Sequence, residues 1–152
     1  MPPERVFRVR IDYTKDLIYP DFKREICHPE LERKEPNEYN LLTQVELWLH
    51  PKQSGYKKTL GYIIYEDLKA SDQLQNHLNL ADLLAIKAKG VDVFRRLYGN
   101  KAVYGWASVI RGDGNYYVPY LCAYINTVVI KWRCLSGTLD ALSPALVFKK
   151  AK

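Results

Sequence analysis

The side chains best suited to proton transfer, metal ligation or nucleophilic attack in this chain are His28, His50 and His77 with Cys27, Cys122 and Cys134. Their spacing builds no recognisable centre. Cys27 and His28 are adjacent, so an extended backbone aims them apart, and no CxxC, HxH or HExxH accompanies them. No metal site and no cofactor are expected. Ser108 lies in an apolar run rather than a GxSxG elbow, the strained turn that exposes a serine nucleophile. Gly112-Asp113-Gly114 is neither GxGxxG nor a P-loop, and no helix N-terminus follows to receive a phosphate. Glu66 and Asp67, read on a strand, face opposite ways and make a poor acid–base pair. His77 reads as a boundary residue of an amphipathic helix. That leaves Glu46 and His50, on one face of a strand that ends at a turn, as the polar edge around which a ligand-binding or hydrolytic site would have to form. No catalytic residue is assigned.

Tyrosine is the unusual feature. With 12 Tyr, 3 Trp and 4 Phe, the chain is rich in rings that serve protein contact and base stacking alike, so their parity along the strands matters. Over 101–111, Tyr104, Trp106, Ser108 and Ile110 oppose Val103, Gly105, Ala107 and Val109. Over 116–133, Tyr120, Cys122 and Tyr124 oppose Leu121, Ala123 and Ile125. With the small aliphatic side packed on a helix, Tyr104, Trp106, Tyr120 and Tyr124 form an aromatic second face, and Trp48 joins them. Three uses fit such a face: a second core layer beneath residues 14–38 or the C-terminal tail, a protein interface, or a platform for bases or sugars. The same parity places Arg111, Lys131 and Arg133 away from Trp106 and Tyr124, which counts against the platform.

The net charge of +6 is unevenly spread, at −2 over residues 1–50, +3 over 51–100 and +5 over 101–152. A basic C-terminal half attracts phosphates, and the candidates for that role are Arg8, Arg10, Lys131, Arg133, Lys149 and Lys150. They form no dense cluster of the kind that marks a nucleic-acid arm. The N-terminus is charged where a secretory signal needs an apolar stretch, and the uncharged run 114–130 is too short and polar for a membrane helix. Three cysteines without such a signal read as reduced thiols in a cytoplasmic protein.

The elements that must position these groups follow from periodicity. Residues 5–12 alternate as a strand showing Arg8 and Arg10 to solvent. Residues 14–38 hold three prolines and read as a long irregular loop. Residues 39–50 and 57–67 read as a hairpin joined through Gly55. Leu74, Leu78, Ala81, Leu84 and Ala88 recur at helical spacing and predict one long helix, opened by Ser71 or Asp72, broken or bent at Gly90 and closed by Gly99. Gly112–Asn115 is the strongest hairpin signal and joins 101–111 to 116–133, with a bulge or bend expected near Pro119 or Asn126. Residues 134–152 read as a loosely packed tail with a short strand near 145–148. A single α+β domain is expected, with a mainly antiparallel sheet carrying one long helix on one face. Its leading expected role is non-enzymatic: self-association, or binding of a protein partner, through the aromatic face. Nucleic-acid binding through the basic half with exposed tyrosines is the alternative, and a small-ligand or hydrolytic site at Glu46 and His50 the third.

Overall fold

The computed structural model describes residues 3–32 and 37–149. In chain order the elements are α1 (Pro3–Val6), β1 (Arg8–Arg10), β2 (Glu25–Ile26), β3 (Glu38–Asn40), β4 (Val45–Trp48), β5 (Thr59–Leu60), α2 (Gly61–Ala70), α3 (Leu80–Lys87), α4 (Val91–Tyr98), β6 (Val103–Tyr104), β7 (Ile110–Gly112), β8 (Asn115–Tyr124), β9 (Thr127–Cys134), β10 (Thr138–Leu139) and β11 (Ala145–Phe148). The class is α+β. The main sheet runs β2-β7-β8-β6-β11-β4, with β9 paired to β8. Tyr117 pairs with both Ile110 and Cys134, and Tyr120 with both Tyr104 and Lys131, so β9 takes the opposite edge of β8 from β6 and β7. The β6–β11 pair is parallel, so the sheet is mixed rather than antiparallel throughout.

The expected hairpin at Gly112–Asn115 is present. Asp113 and Gly114 both take positive φ and connect Gly112 to its partner Asn115, the geometry that an Asp-Gly dipeptide favours. Its two arms differ from expectation. The first breaks at Trp106–Ser108 into a 3-10 turn between β6 and β7. Pro119 sits opposite that break; it has no N–H to donate, and its carbonyl accepts from Gly105 at 3.0 Å. The second arm does not bend but reverses at Ile125–Asn126, giving the β8–β9 ribbon.

The 57–67 strand is replaced by α2. Gly61, Ile64, Tyr65 and Leu68 recur every three or four residues and are all buried. At Gly61 an added Cβ would lie 3.0 Å from the Leu135 backbone, so glycine permits this close approach. Strand β4 therefore pairs with β11 instead of with a 57–67 partner.

The single long helix also gives way. Ser71 and Asp72 close α2 rather than opening a new helix. The Gln73 N–H donates to the Leu68 carbonyl and that of Asp72 to Lys69, with Asp72 at φ 58, the pairing that ends helices in a left-handed residue. Helix α3 starts later, at a reciprocal cap between Asn79 and Asp82. Gly90 at φ 95 separates it from α4, and Gly99 ends α4 as expected.

Helices consequently cover both faces. On one, α3 and α4 bury Leu83, Ile86 and Phe94 against Val103, Leu121, Val128 and Leu146. On the other, α2 buries Ile64, Tyr65 and Leu68 against Tyr104, Trp106, Val118 and Leu135. Residues 134–149 are not a loose tail: β10 pairs β5, β11 lies inside the main sheet, and Leu135 and Leu146 have no exposed surface. Within 14–32 the chain contributes β2 and a 3-10 turn at Pro29–Leu31. The 33–36 part of that loop lies outside the described residues.

Candidate functional site

A largely apolar cleft of about 840 Å³ opens beside the edge strand β4. It lies between β4 and β11 on one side and, on the other, the C-terminal end of α2 and the turn that follows. Trp48, Leu68, Val147 and Phe148 supply apolar walls, and Glu46, His50, Asp67, His77 and Lys149 reach it with polar groups. This size and lining suit a small organic ligand.

Alternation along β4 places Glu46 and Trp48 on the cleft side, and His50 follows at the strand end. His50 is only 6% exposed and caps the turn Pro51–Gln53. Its Nδ1 accepts the Lys52 N–H at 3.0 Å, while its own N–H donates to Gln53 Oε1. With Nδ1 accepting, the ring proton sits on Nε2, which donates to Asp67 Oδ2 at 2.6 Å. Both ring nitrogens are thus engaged, and His50 acts to hold the Asp67 carboxylate rather than to take a proton from a ligand. Ser71, also on the wall, directs its hydroxyl to the Leu68 carbonyl.

His77 is buried at 2% exposure, and its Nδ1 has no hydrogen-bond partner. Burial pushes its pKa down to about 4, so the imidazole is neutral at pH 7. The Trp48 ring stands edge-on to both histidines, with centroids 5.3 Å from His77 and 6.0 Å from His50. The indole is held between two imidazoles at the side of the cleft.

Among the residues singled out from sequence, Glu46, His50 and Trp48 come together here with Lys149. Asp67 and His77 were missed as site members. Sequence alternation sets the first on a strand and the second at the boundary of an amphipathic helix, although the helical spacing of Gly61, Ile64, Tyr65 and Leu68 is a readable signal for α2.

The aromatic face divides. Tyr104 and Trp106, each 1% exposed, are core residues, and Trp106 stands in the 3-10 turn rather than on a strand. They form a second core layer covered by α2, through Tyr65 stacked on Trp106 at 6.3 Å, together with Leu135 and Leu139 of the C-terminal segment and Cys27 and Leu31 of residues 14–38. Within the chain, Tyr104 and Trp106 therefore present almost no surface to a partner. Tyr120 is half-buried, stacked on Tyr104 at 4.8 Å, and Tyr124 is 61% exposed at the ribbon end.

The basic candidates are dispersed. Arg8 and Arg10 are exposed on β1, in a separate two-stranded sheet with β3, and Arg8 pairs with Glu38 at 3.4 Å. Lys149 sits at the cleft rim, and Lys150 lies outside the described residues. Lys131 and Arg133 share β9. Among the described residues no group of His, Cys, Asp and Glu could hold a metal ion, and no helix is long and apolar enough to cross a membrane.

No family model matches the chain, and searches of curated proteins and of solved structures find no match either.

Proposed function

We propose that this protein binds a small organic ligand in the cleft at β4, and that the ligand combines a flat apolar body with a cationic or N–H-donating head. The observation that carries this reading is the Asp67 carboxylate, fixed by a tautomer-locked His50 at the wall of an apolar cleft. A second carboxylate, Glu46, reaches the same cleft, and acceptors of this kind recognise amidinium or ammonium groups. Trp48, held edge-on by two imidazoles, offers a ring for the flat body. The role is binding rather than hydrolysis, since His50 has both nitrogens engaged and the Ser71 hydroxyl donates to the Leu68 carbonyl.

Benzamidine tests this, with benzoate as the charge-reversed control. Titrated against the full chain and followed by backbone NMR, benzamidine is expected to bind with a dissociation constant of about 1 mM, as suits so small a fragment. Shifts should cluster at Trp48, Asp67 and His77, benzoate should bind more weakly, and Asp67→Asn should weaken benzamidine about tenfold. Preference for benzoate, or shifts scattered over the surface, would overturn the reading.

A further inference from the structure

The β8–β9 ribbon carries a second arrangement, at the other end of the sheet from the cleft. Residues directly opposite in an antiparallel pair share a face. The register sets Tyr120 against Lys131, Val118 against Arg133, Cys122 against Val129 and Tyr124 against Thr127. The reversal at Ile125–Asn126 thus puts Lys131 and Arg133 on the face of Tyr120 and Tyr124, the reverse of what simple alternation along one long strand implies. Tyr120 and Tyr124 stand about 13 Å apart along the strand, from a rise of about 3.3 Å per residue. Lys131 is exposed, and neither it nor Arg133 makes an ion pair among the described residues. The Arg133 guanidinium is braced by donating to the Thr138 carbonyl at 2.7 Å. No carboxylate occupies this face of the ribbon.

The ribbon end departs from ordinary turn chemistry. Ile125, a β-branched residue, takes φ 54 while remaining 65% exposed, and Arg95 donates to its carbonyl at 2.6 Å. The turn is therefore tied to α4, with an exposed tyrosine and isoleucine at the ribbon end. Tyr120 is pre-set by its stack on Tyr104.

We propose that this face of the β8–β9 ribbon binds single-stranded nucleic acid, with bases stacking on Tyr124 and Tyr120 and phosphates meeting Lys131 and Arg133. Charge favours this occupant over a protein partner: the rings are interleaved with unpaired cations, whereas the cores of protein interfaces are depleted of charge. Stacking requires bases that a duplex would hide, which selects single strands.

The test is anisotropy with a fluorescein-labelled oligothymidylate of about 12 nucleotides, within the site sizes such platforms use, on the full chain at low ionic strength and with added salt. Binding should weaken with a log–log salt slope near −1.4, as expected for about two neutralised phosphates at about −0.7 each. Tyr124→Ala should weaken it about tenfold, and Lys131→Glu should weaken it and flatten the slope by about 0.7. Both side chains are exposed, so unchanged thermal melts serve as the folding control. Asp67→Asn should leave oligonucleotide affinity unaltered, which separates this proposal from the cleft. Absence of binding at low salt overturns it. So does binding that heparin displaces and Tyr124→Ala leaves intact, because charge alone would then account for it. Self-association abolished by Tyr124→Ala without oligonucleotide binding would overturn it in favour of a protein partner.

Discussion

His77 shows what burial does to a single titratable group. Its imidazole has pKa about 4 in the folded chain against an ordinary 6.5. As pH falls below 6.5 the unfolded chain takes up this proton and the folded chain does not, until pH nears 4. The stability His77 leaves intact above pH 6.5 is therefore lost progressively between 6.5 and 4, by about 3 kcal/mol in all. Phenylalanine at this position keeps a ring edge-on to Trp48 and removes both the titration and the unpartnered Nδ1. His77→Phe is expected to lose less stability than the parent between pH 7 and pH 5, by about 2 kcal/mol. Urea melts at the two pH values check this, and parallel losses in both proteins would refute it.

Local backbone geometry sets the predictions for elements. Asp72 ends α2 in the left-handed region, which aspartate tolerates and β-branched residues do not. Asp72→Val should lower stability by about 1–2 kcal/mol, while Asp72→Gly should be neutral or mildly stabilising. At the ribbon end the strain is already present in Ile125 at φ 54. Ile125→Gly should raise stability by about 1 kcal/mol in a chemical melt. A loss on that substitution would mean that the isoleucine side chain contributes packing outweighing its backbone strain.

For the molecule as a whole, the decisive fact is that helices close both sheet faces. Tyr104 and Trp106 stand between the sheet and α2, so truncating them is a core lesion and not a surface one. Trp106→Ala should cost about 3–5 kcal/mol and shift the denaturation midpoint accordingly. A Trp106→Ala protein of full stability and reduced assembly mass would instead restore an interface role for this residue.

How much of this was legible beforehand depends on whether a signal was local. The Asp113-Gly114 turn, the Gly99 helix end, the β1 alternation around Val9 and the α+β class rest on short-range sterics and on periods of two or three to four, which the chain alone determines. The cleft components Glu46, Trp48 and His50 were readable as neighbours on one strand for the same reason. Asp67 and His77 were not, because they join that strand only through α2 and through the turn before α3, across long sequence separations. The helix at 61–70 is signalled by the spacing of Gly61, Ile64, Tyr65 and Leu68, but what those residues meet, namely Trp106, Leu135 and Leu139, is not. Which cations share the face of Tyr120 and Tyr124 turned on one event, the reversal at Ile125. Side chains alternate with period two, so a turn that closes there, and not a bulge, sets which residues of β9 face Tyr120 and Tyr124. The sequence by itself determined the turns and the parity within each strand; tertiary packing decided which strands meet, which faces are covered and which polar groups converge, because those depend on contacts the local chain cannot register.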